Sequence, residues 1–253
     1  MHKRKMLLSF VSIAVVGCVS AVLLCVGITN AQTSKPGEVR MALNSLEGLV
    51  IKAPAEKGAV PVKVKTDITT YNGKRALHML NDDSTMDAKG PSGGESLAIV
   101  KGPDFKDGTI EVELVGMPRQ GSNSQSRGFI GVAFHIQGDV ERFENFYLRF
   151  TNGRSDDQLR RNHSTQYSSF PDYPWARLRQ ENPGVYESYV DIEEKAWTKV
   201  KIVVSGTKAQ LYVNDASQPC LIVNDLKLGE TQGPVALWTG SDTEAYFSNL
   251  RIK

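Results

Sequence analysis

Two stretches decide the fold: Phe129-Ile130-Gly131-Val132-Ala133-Phe134-His135-Ile136-Gln137 and Asn145-Phe146-Tyr147-Leu148-Arg149-Phe150. Side chains along a strand point alternately to opposite faces of the sheet. Read that way, Ile130, Val132, Phe134 and Ile136 share one side of the first stretch, with Gly131, Ala133 and His135 opposite. In the second, Phe146, Leu148 and Phe150 share one side, with Asn145, Tyr147 and Arg149 opposite. The all-apolar sets belong in a core. The connection between them is short and charged (Asp139, Glu141, Arg142, Glu144), which favours antiparallel neighbours, since consecutive strands usually pair. His135, Tyr147 and Arg149 are therefore expected on one open, polar face.

Working outward, the same period-2 signal recurs at Ala59–Lys65, Arg75–Leu80, Ser96–Lys101, Thr109–Val115, Val185–Ile192, Lys199–Ser205, Ala209–Val213, Cys220–Asn224, Val235–Thr239 and Tyr246–Ile252. Turn dipeptides such as Asn72-Gly73, Asp107-Gly108, Asn152-Gly153 and Ser205-Gly206 punctuate them. Beyond residue 32 no helical period runs past three turns. Many short strands with turns between them mean an all-β protein, a two-sheet antiparallel jelly-roll sandwich. One long inserted loop, Asn152 to Gly184, interrupts the pattern, and loops of that length are often functional. Inside it, Pro174 to Arg179 has the composition of a short helix, closed by Pro183-Gly184.

The chain begins with His2-Lys3-Arg4-Lys5, followed by an uncharged run from Met6 to Ile28 and small residues at Thr29 and Ala31. This is the pattern of a signal peptide cleaved after Ala31. The apolar run also approaches the ~20 residues that span a bilayer, so a retained signal anchor competes. Val15-Val16-Gly17-Cys18 resembles a bacterial lipobox, a third alternative. Each places the domain outside the cytoplasm: secreted, periplasmic or anchored in an envelope. The organisation expected is a targeting segment at 1–31, a flexible leader at 32–40 and one sandwich domain at 41–253. Any membrane contact runs only through an uncleaved N-terminal segment.

Charge is nearly balanced, 30 Lys plus Arg against 28 Asp plus Glu, which argues against a nucleic-acid partner. With residues 1–31 removed, Cys220 alone remains and forms no intrachain disulfide; in its apolar strand it reads as a buried structural thiol. The four His are scattered and no Cys-x-x-Cys occurs, so no metal site and no cofactor is expected. A structural calcium would need several oxygen ligands, of which Asp242 is one candidate.

The motifs Phe105-Lys-Asp-Gly-Thr-Ile-Glu-Val-Glu, Gly128-Phe-Ile-Gly-Val-Ala-Phe, Trp197-Thr-Lys-Val-Lys-Ile-Val-Val-Ser-Gly, Leu211-Tyr-Val-Asn, Gly233-Pro-Val-Ala-Leu-Trp and Tyr246-Phe-Ser-Asn-Leu-Arg-Ile occur in this order. Their succession resembles the concanavalin A-like lectin/glucanase superfamily, in particular its laminin-G-type and 3-keto-disaccharide hydrolase-type members. The resemblance covers roughly Phe105 to Lys253. It implies a jelly roll whose concave sheet holds a glycan, and it implies no single activity. Family 16 glycosidases of this superfamily carry Glu-x-Asp-x-x-Glu or Glu-x-Asp-x-Glu on one strand. Tyr189-Val190-Asp191-Ile192-Glu193-Glu194 is the nearest stretch, with Tyr189 where the nucleophile belongs, so that catalytic motif is not matched.

Between Asp107 and Glu194 there are nine Arg and no Lys. Five of them, Arg154, Arg160, Arg161, Arg177 and Arg179, lie in the long loop with His163, Tyr167, Tyr173 and Trp175. Guanidinium groups make planar contacts and stack on rings, and aromatic faces stack on sugars. The plainer reading is a loop held by Arg pairs to Asp156, Asp157 and Asp172. The ligand-binding residues expected are His135, Tyr147, Arg149, Arg160, His163, Tyr173, Trp175 and Arg177. His135 and Glu144 are the catalytic candidates should the protein turn a substrate over. Two functions follow: an exported carbohydrate-binding sandwich with a glycan partner or, alternatively, a glycoside hydrolase of the 3-keto-disaccharide hydrolase-like type acting on the same face.

Overall fold

The structure, a computed structural model, describes residues 38–54, 64–81, 94–122 and 124–253. The targeting segment at 1–31, residues 32–37 of the leader and residues 59–63 of one expected strand lie outside these. Its strands are β1 (Val39–Met41), β2 (Leu49–Lys52), β3 (Val64–Tyr71), β4 (Lys74–Asn81), β5 (Ser96–Val100), β6 (Gly108–Pro118), β7 (Phe129–Gln137) and β8 (Arg142–Arg149). There follow a short helix α1 (Gln158–Arg161), β9 (Thr165–Phe170), α2 (Trp175–Glu181), β10 (Glu187–Ser188), β11 (Thr198–Ser205), β12 (Lys208–Val213), β13 (Leu221–Val223), β14 (Ala236–Thr239) and β15 (Thr243–Ile252). No helix among the described residues is long and apolar enough to cross a membrane.

Two antiparallel sheets form. The first runs β13-β12-β11-β6-β15-β4-β3, with β1 added beside β15, and the second runs β10-β9-β8-β7-β14-β5-β2. This is the two-sheet jelly-roll sandwich expected from the alternation. Local chemistry sets the register. Between β3 and β4 the chain reverses at Asn72-Gly73, both with positive φ (43° and 78°), the type I′ geometry that matches strand twist. Leu77, Met79, Ile110, Val112 and Leu114 of the first sheet and Ile130, Val132, Phe134, Phe146 and Leu148 of the second belong to one buried inter-sheet core. At about 1.5–3 kcal/mol per buried large apolar side chain, this layer is the main favourable term in folding.

The second sheet is apolar on its outer side too. Leu97, Ala133, Ile136, Phe143, Tyr147, Ala236 and Trp238 form a separate buried cluster there, flanked by Phe129 and Phe170. Such a sheet reads as continuous apolar runs, which is why Ser96–Val100 and Ala236–Thr239 show no clean alternation.

Several sequence expectations are corrected. The strand pairing of β7 with β8 shifts register between Phe134 and Gln137, and His135 has φ 54°. This bulge breaks the alternation. Ile136 moves to the outer cluster and His135 does not join it. The insertion from Asn152 to Gly184 is not one loop: Thr165–Phe170 forms β9, paired along β8. Its composition, Thr-Gln-Tyr-Ser-Ser-Phe, hides a strand behind polar residues that bond within the sandwich. The expected strand at Val185–Ile192 contracts to Glu187–Ser188, and the end of the leader, Val39 and Arg40, stands in β1 against β15.

Candidate functional site

The site is built where β8, β9 and β10 run side by side at one edge of the second sheet. Tyr147 and Arg149 of β8 point outward, as alternation requires. Gly131 of β7 lies beneath Tyr147; a Cβ there would sit 2.0 Å from Phe146 O and 2.6 Å from Tyr147 Cα, so only glycine lets the two strands pack with this ring in place. The Tyr147 ring packs against Trp238 of β14, centroids 4.9 Å apart, and Trp238 Nε1 donates to Glu95 at 3.0 Å.

Arg149 is 5% exposed. Its guanidinium donates to three neutral acceptors: the His163 carbonyl (3.0 Å), the Tyr147 hydroxyl (3.1 Å) and the Gln166 side-chain oxygen (3.0 Å). Burial pulls its pKa below the ordinary arginine value, and burial pushes the Tyr147 hydroxyl up to about 12. A buried cation without a carboxylate is costly, and only this set of hydrogen bonds makes it tolerable.

Beside it, Arg179 grips Glu187 through three contacts (Nε to Oε1 3.0 Å, Nε to Oε2 3.2 Å and one terminal nitrogen to Oε2 2.6 Å). His163 Nε2 reaches the same carboxylate at 3.2 Å. Burial lowers the His163 pKa from its ordinary value, opposed by the Glu187 charge. Over these groups lies Trp175, the first residue of α2 and 39% exposed. Its ring has the Arg179 guanidinium carbon 4.7 Å from the centroid and that of Arg149 at 5.8 Å. Trp175 and Arg179 are four apart on one helix, so they share a face. The result is a line of stacked groups, Trp238–Tyr147–Arg149–Trp175–Arg179, that emerges from the sheet at an exposed indole.

Of the residues read from the sequence, the structure brings Tyr147, Arg149, His163 and Trp175 together. Arg160 lies at the same edge, donating to the Thr151 hydroxyl at 3.3 Å. Tyr173 and Arg177 pair with each other instead, the guanidinium 4.3 Å from the ring centroid, on a different side of α2 from Trp175. Arg177 also bonds Glu181 at 2.7 Å and the Asp172 carbonyl at 2.8 Å. Sequence reasoning passed over Gln166, Glu187 and Trp238 and left Arg179 as one loop arginine among five. Alternation on Thr165–Phe170 would have placed Gln166, but Glu187 is unremarkable without the fold.

His135 and Glu144 stand apart from this cluster, correcting the expectation of one shared patch. His135 is fully buried against Phe105 and Phe134, rings of the inter-sheet core (centroids 6.0 and 4.9 Å). Its Nε2 donates to the Lys106 carbonyl at 2.8 Å, and burial lowers its pKa. The bulge, which alternation does not foresee, sends the ring there. Glu144 is also fully buried, on the Phe146 side of β8. It accepts from the Tyr167 hydroxyl (2.6 Å) and from the Leu228 amide (2.7 Å), and burial raises its pKa above the ordinary carboxylate value.

Tyr189, Asp191 and Glu193 lie outside any strand, and Arg154 bridges Asp191 (2.9 Å) and Glu193 (2.8 Å) as an exposed ion-pair group. Asp242 is held by Arg119 at 3.1 Å.

No protein-family model matches the chain, and no curated protein matches it. Solved structures do. A carbohydrate-binding module from Bacillus subtilis aligns with 13% identity over 76% of this chain and 95% of its own, at a TM-score of 0.49. A protein of unknown function with a galectin-like fold, from the same organism, aligns with 10% identity over 85% of this chain and 94% of its own, at 0.51. A sialidase aligns with 11% identity over 86% of this chain but only 18% of its own, at 0.50. At these identities the likeness is one of fold alone: a two-sheet antiparallel jelly-roll sandwich.

Proposed function

We propose that the chain is an exported carbohydrate-binding β-sandwich that takes a glycan against Trp175, at the outer edge of its second sheet. One observation carries this reading. An indole that is 39% exposed lies against two guanidinium groups, themselves fixed by Glu187 and by a buried polar set. A rigid exposed ring is what a sugar's C–H face stacks on, and the polar groups around it suit hydroxyl recognition. The galectin-like likeness supports the reading at the level of fold alone. Hydrolysis by a carboxylate pair lacks comparable support. It requires two carboxyls roughly 5–5.5 Å apart for retention. Glu187 is engaged by Arg179 and His163, and Glu144 faces the other side of β8.

A glycan array probed with the chain, followed by a reducing-sugar assay on each hit, tests this. Binding without release is expected; release of reducing ends would replace the binding role with hydrolysis, and no binding at all would remove both. Export rests on residues 1–31, and mass spectrometry of the exported protein should find Gln32 at its N-terminus.

A further inference from the structure

We infer that the glycan is acidic: the site selects sugars bearing carboxylate or sulfate groups over neutral ones. This rests on the proposed glycan-binding role and deepens it. The observation is a cluster of guanidinium groups around the site, three of which have no carboxylate hydrogen-bond partner among the described residues. Arg179 has Glu187, but Arg149 bonds only the His163 carbonyl, the Tyr147 hydroxyl and the Gln166 side-chain oxygen. Arg127 leans on the Ser124 and Ser126 carbonyls (2.6 and 2.9 Å) and the Gln125 side-chain oxygen (3.3 Å). Arg160 reaches only the Thr151 carbonyl and hydroxyl, and its buried Nε has no acceptor.

These groups belong to one locality. The Thr151 amide donates to the Arg127 carbonyl at 3.2 Å while its oxygens receive Arg160, and the His163 carbonyl that receives Arg149 also receives Asn152 (3.1 Å). The charges of Arg149 and Arg160 help depress the Arg127 pKa, behind burial as the larger cause. The carboxylates at this cluster among the described residues include Glu187, Asp157 and Glu95, the last accepting from Trp238 Nε1 at 3.0 Å. Glu187 is taken by Arg179 and His163, and Asp157 caps α1 by accepting from the Leu159 and Arg160 amides (2.9 and 3.2 Å).

These carboxylates are committed elsewhere, while Arg149, Arg127 and Arg160 bond only neutral acceptors among the described residues. Clustered like charges repel, and an arrangement that keeps them together with neutral partners is completed by an anion. A guanidinium also meets a planar carboxylate with two parallel bonds and full opposite charge, which a neutral hydroxyl does not offer. With Trp175 alongside to hold the ring, an acidic sugar satisfies both features at once.

The test is isothermal titration calorimetry of the full chain with three probes of matched length: oligogalacturonate, sulfated galactan oligomers and neutral galactan oligomers. At least one acidic probe should bind tenfold or more tightly than the neutral one. That preference should shrink when salt rises from about 50 mM to about 500 mM, which shortens the screening length roughly threefold. Whichever acidic probe binds better assigns carboxylate or sulfate. Arg127→Gln should reduce the acidic preference while leaving neutral-sugar affinity and the melting temperature in place, and Arg160→Gln should reduce acidic affinity more than neutral-sugar affinity. Equal affinity for acidic and neutral probes would overturn the inference and leave the glycan-binding role standing. Failure of all three probes, together with failure on the array, would remove that role and this inference with it.

Discussion

Truncating Trp175 to alanine separates a binding platform from a packing residue. Trp175 is 39% exposed, so the deletion gives up the larger, buried part of a big side chain. It also loses two guanidinium–ring contacts inside the protein, at 4.7 and 5.8 Å. Exposed contacts of this kind are worth about 0.5–1 kcal/mol each. Alanine is the better helix former at this first position of α2, which returns a few tenths. With the burial lost, the net cost is about 2–3 kcal/mol, or roughly 4–12 °C in melting temperature for a domain of this size. Neither guanidinium loses its place, because Arg179 keeps Glu187 and Arg149 keeps its three acceptors. Aromatic anchors at binding centres cost more than about 1 kcal/mol on truncation, so affinity should fall about fivefold or more. Titration calorimetry with the best array glycan, beside a thermal melt, reads both quantities; Trp175→Phe should recover most of the affinity. An unchanged dissociation constant, whatever the melting temperature, would make Trp175 a packing residue and refute the platform.

Three further outcomes follow from the buried groups. His135→Ala should cost about 2–4 kcal/mol of stability, from a lost buried hydrogen bond and a cavity, and leave glycan affinity unchanged; denaturant melts and calorimetry check this. Because the folded His135 pKa lies below its ordinary 6.5, its penalty on stability should appear as pH falls through 6.5, and the His135→Ala variant should lose less in acid than wild type does. Glu144 has the opposite sign. Its folded pKa lies above 4.5, so its contribution is largest in acid and is lost as pH rises through the folded value. Glu144→Gln should therefore gain on wild type in melts taken from about pH 4 to about pH 8. Glu187→Ala should cost about 2–3 kcal/mol, below the roughly 3–5 of a fully buried broken pair, because Arg179 keeps a third of its side chain in water; an undiminished melting temperature would show the cluster to be held by other means.

Strand period and turn chemistry settle the all-β class, the inward faces of Ile130–Phe134 and Phe146–Leu148 and the outward direction of Tyr147 and Arg149, because alternation is a property of each strand alone. The aromatic and Arg content of the insertion likewise marked His163 and Trp175 before any neighbour was known. Contacts that need a second strand are not properties of either strand alone. Whether His135 joins Tyr147 depends on a bulge in the pairing of β7 with β8, and one extra residue there reverses the face of everything beyond it. Glu144 finds Tyr167, and Glu187 finds Arg179 and His163, only because β9 and β10 lie beside β8 in that register. Partners separated by 8 to 24 residues along the chain carry no mark of one another in their composition; sheet order brings them within hydrogen-bonding reach, and burial then makes the pairing obligatory.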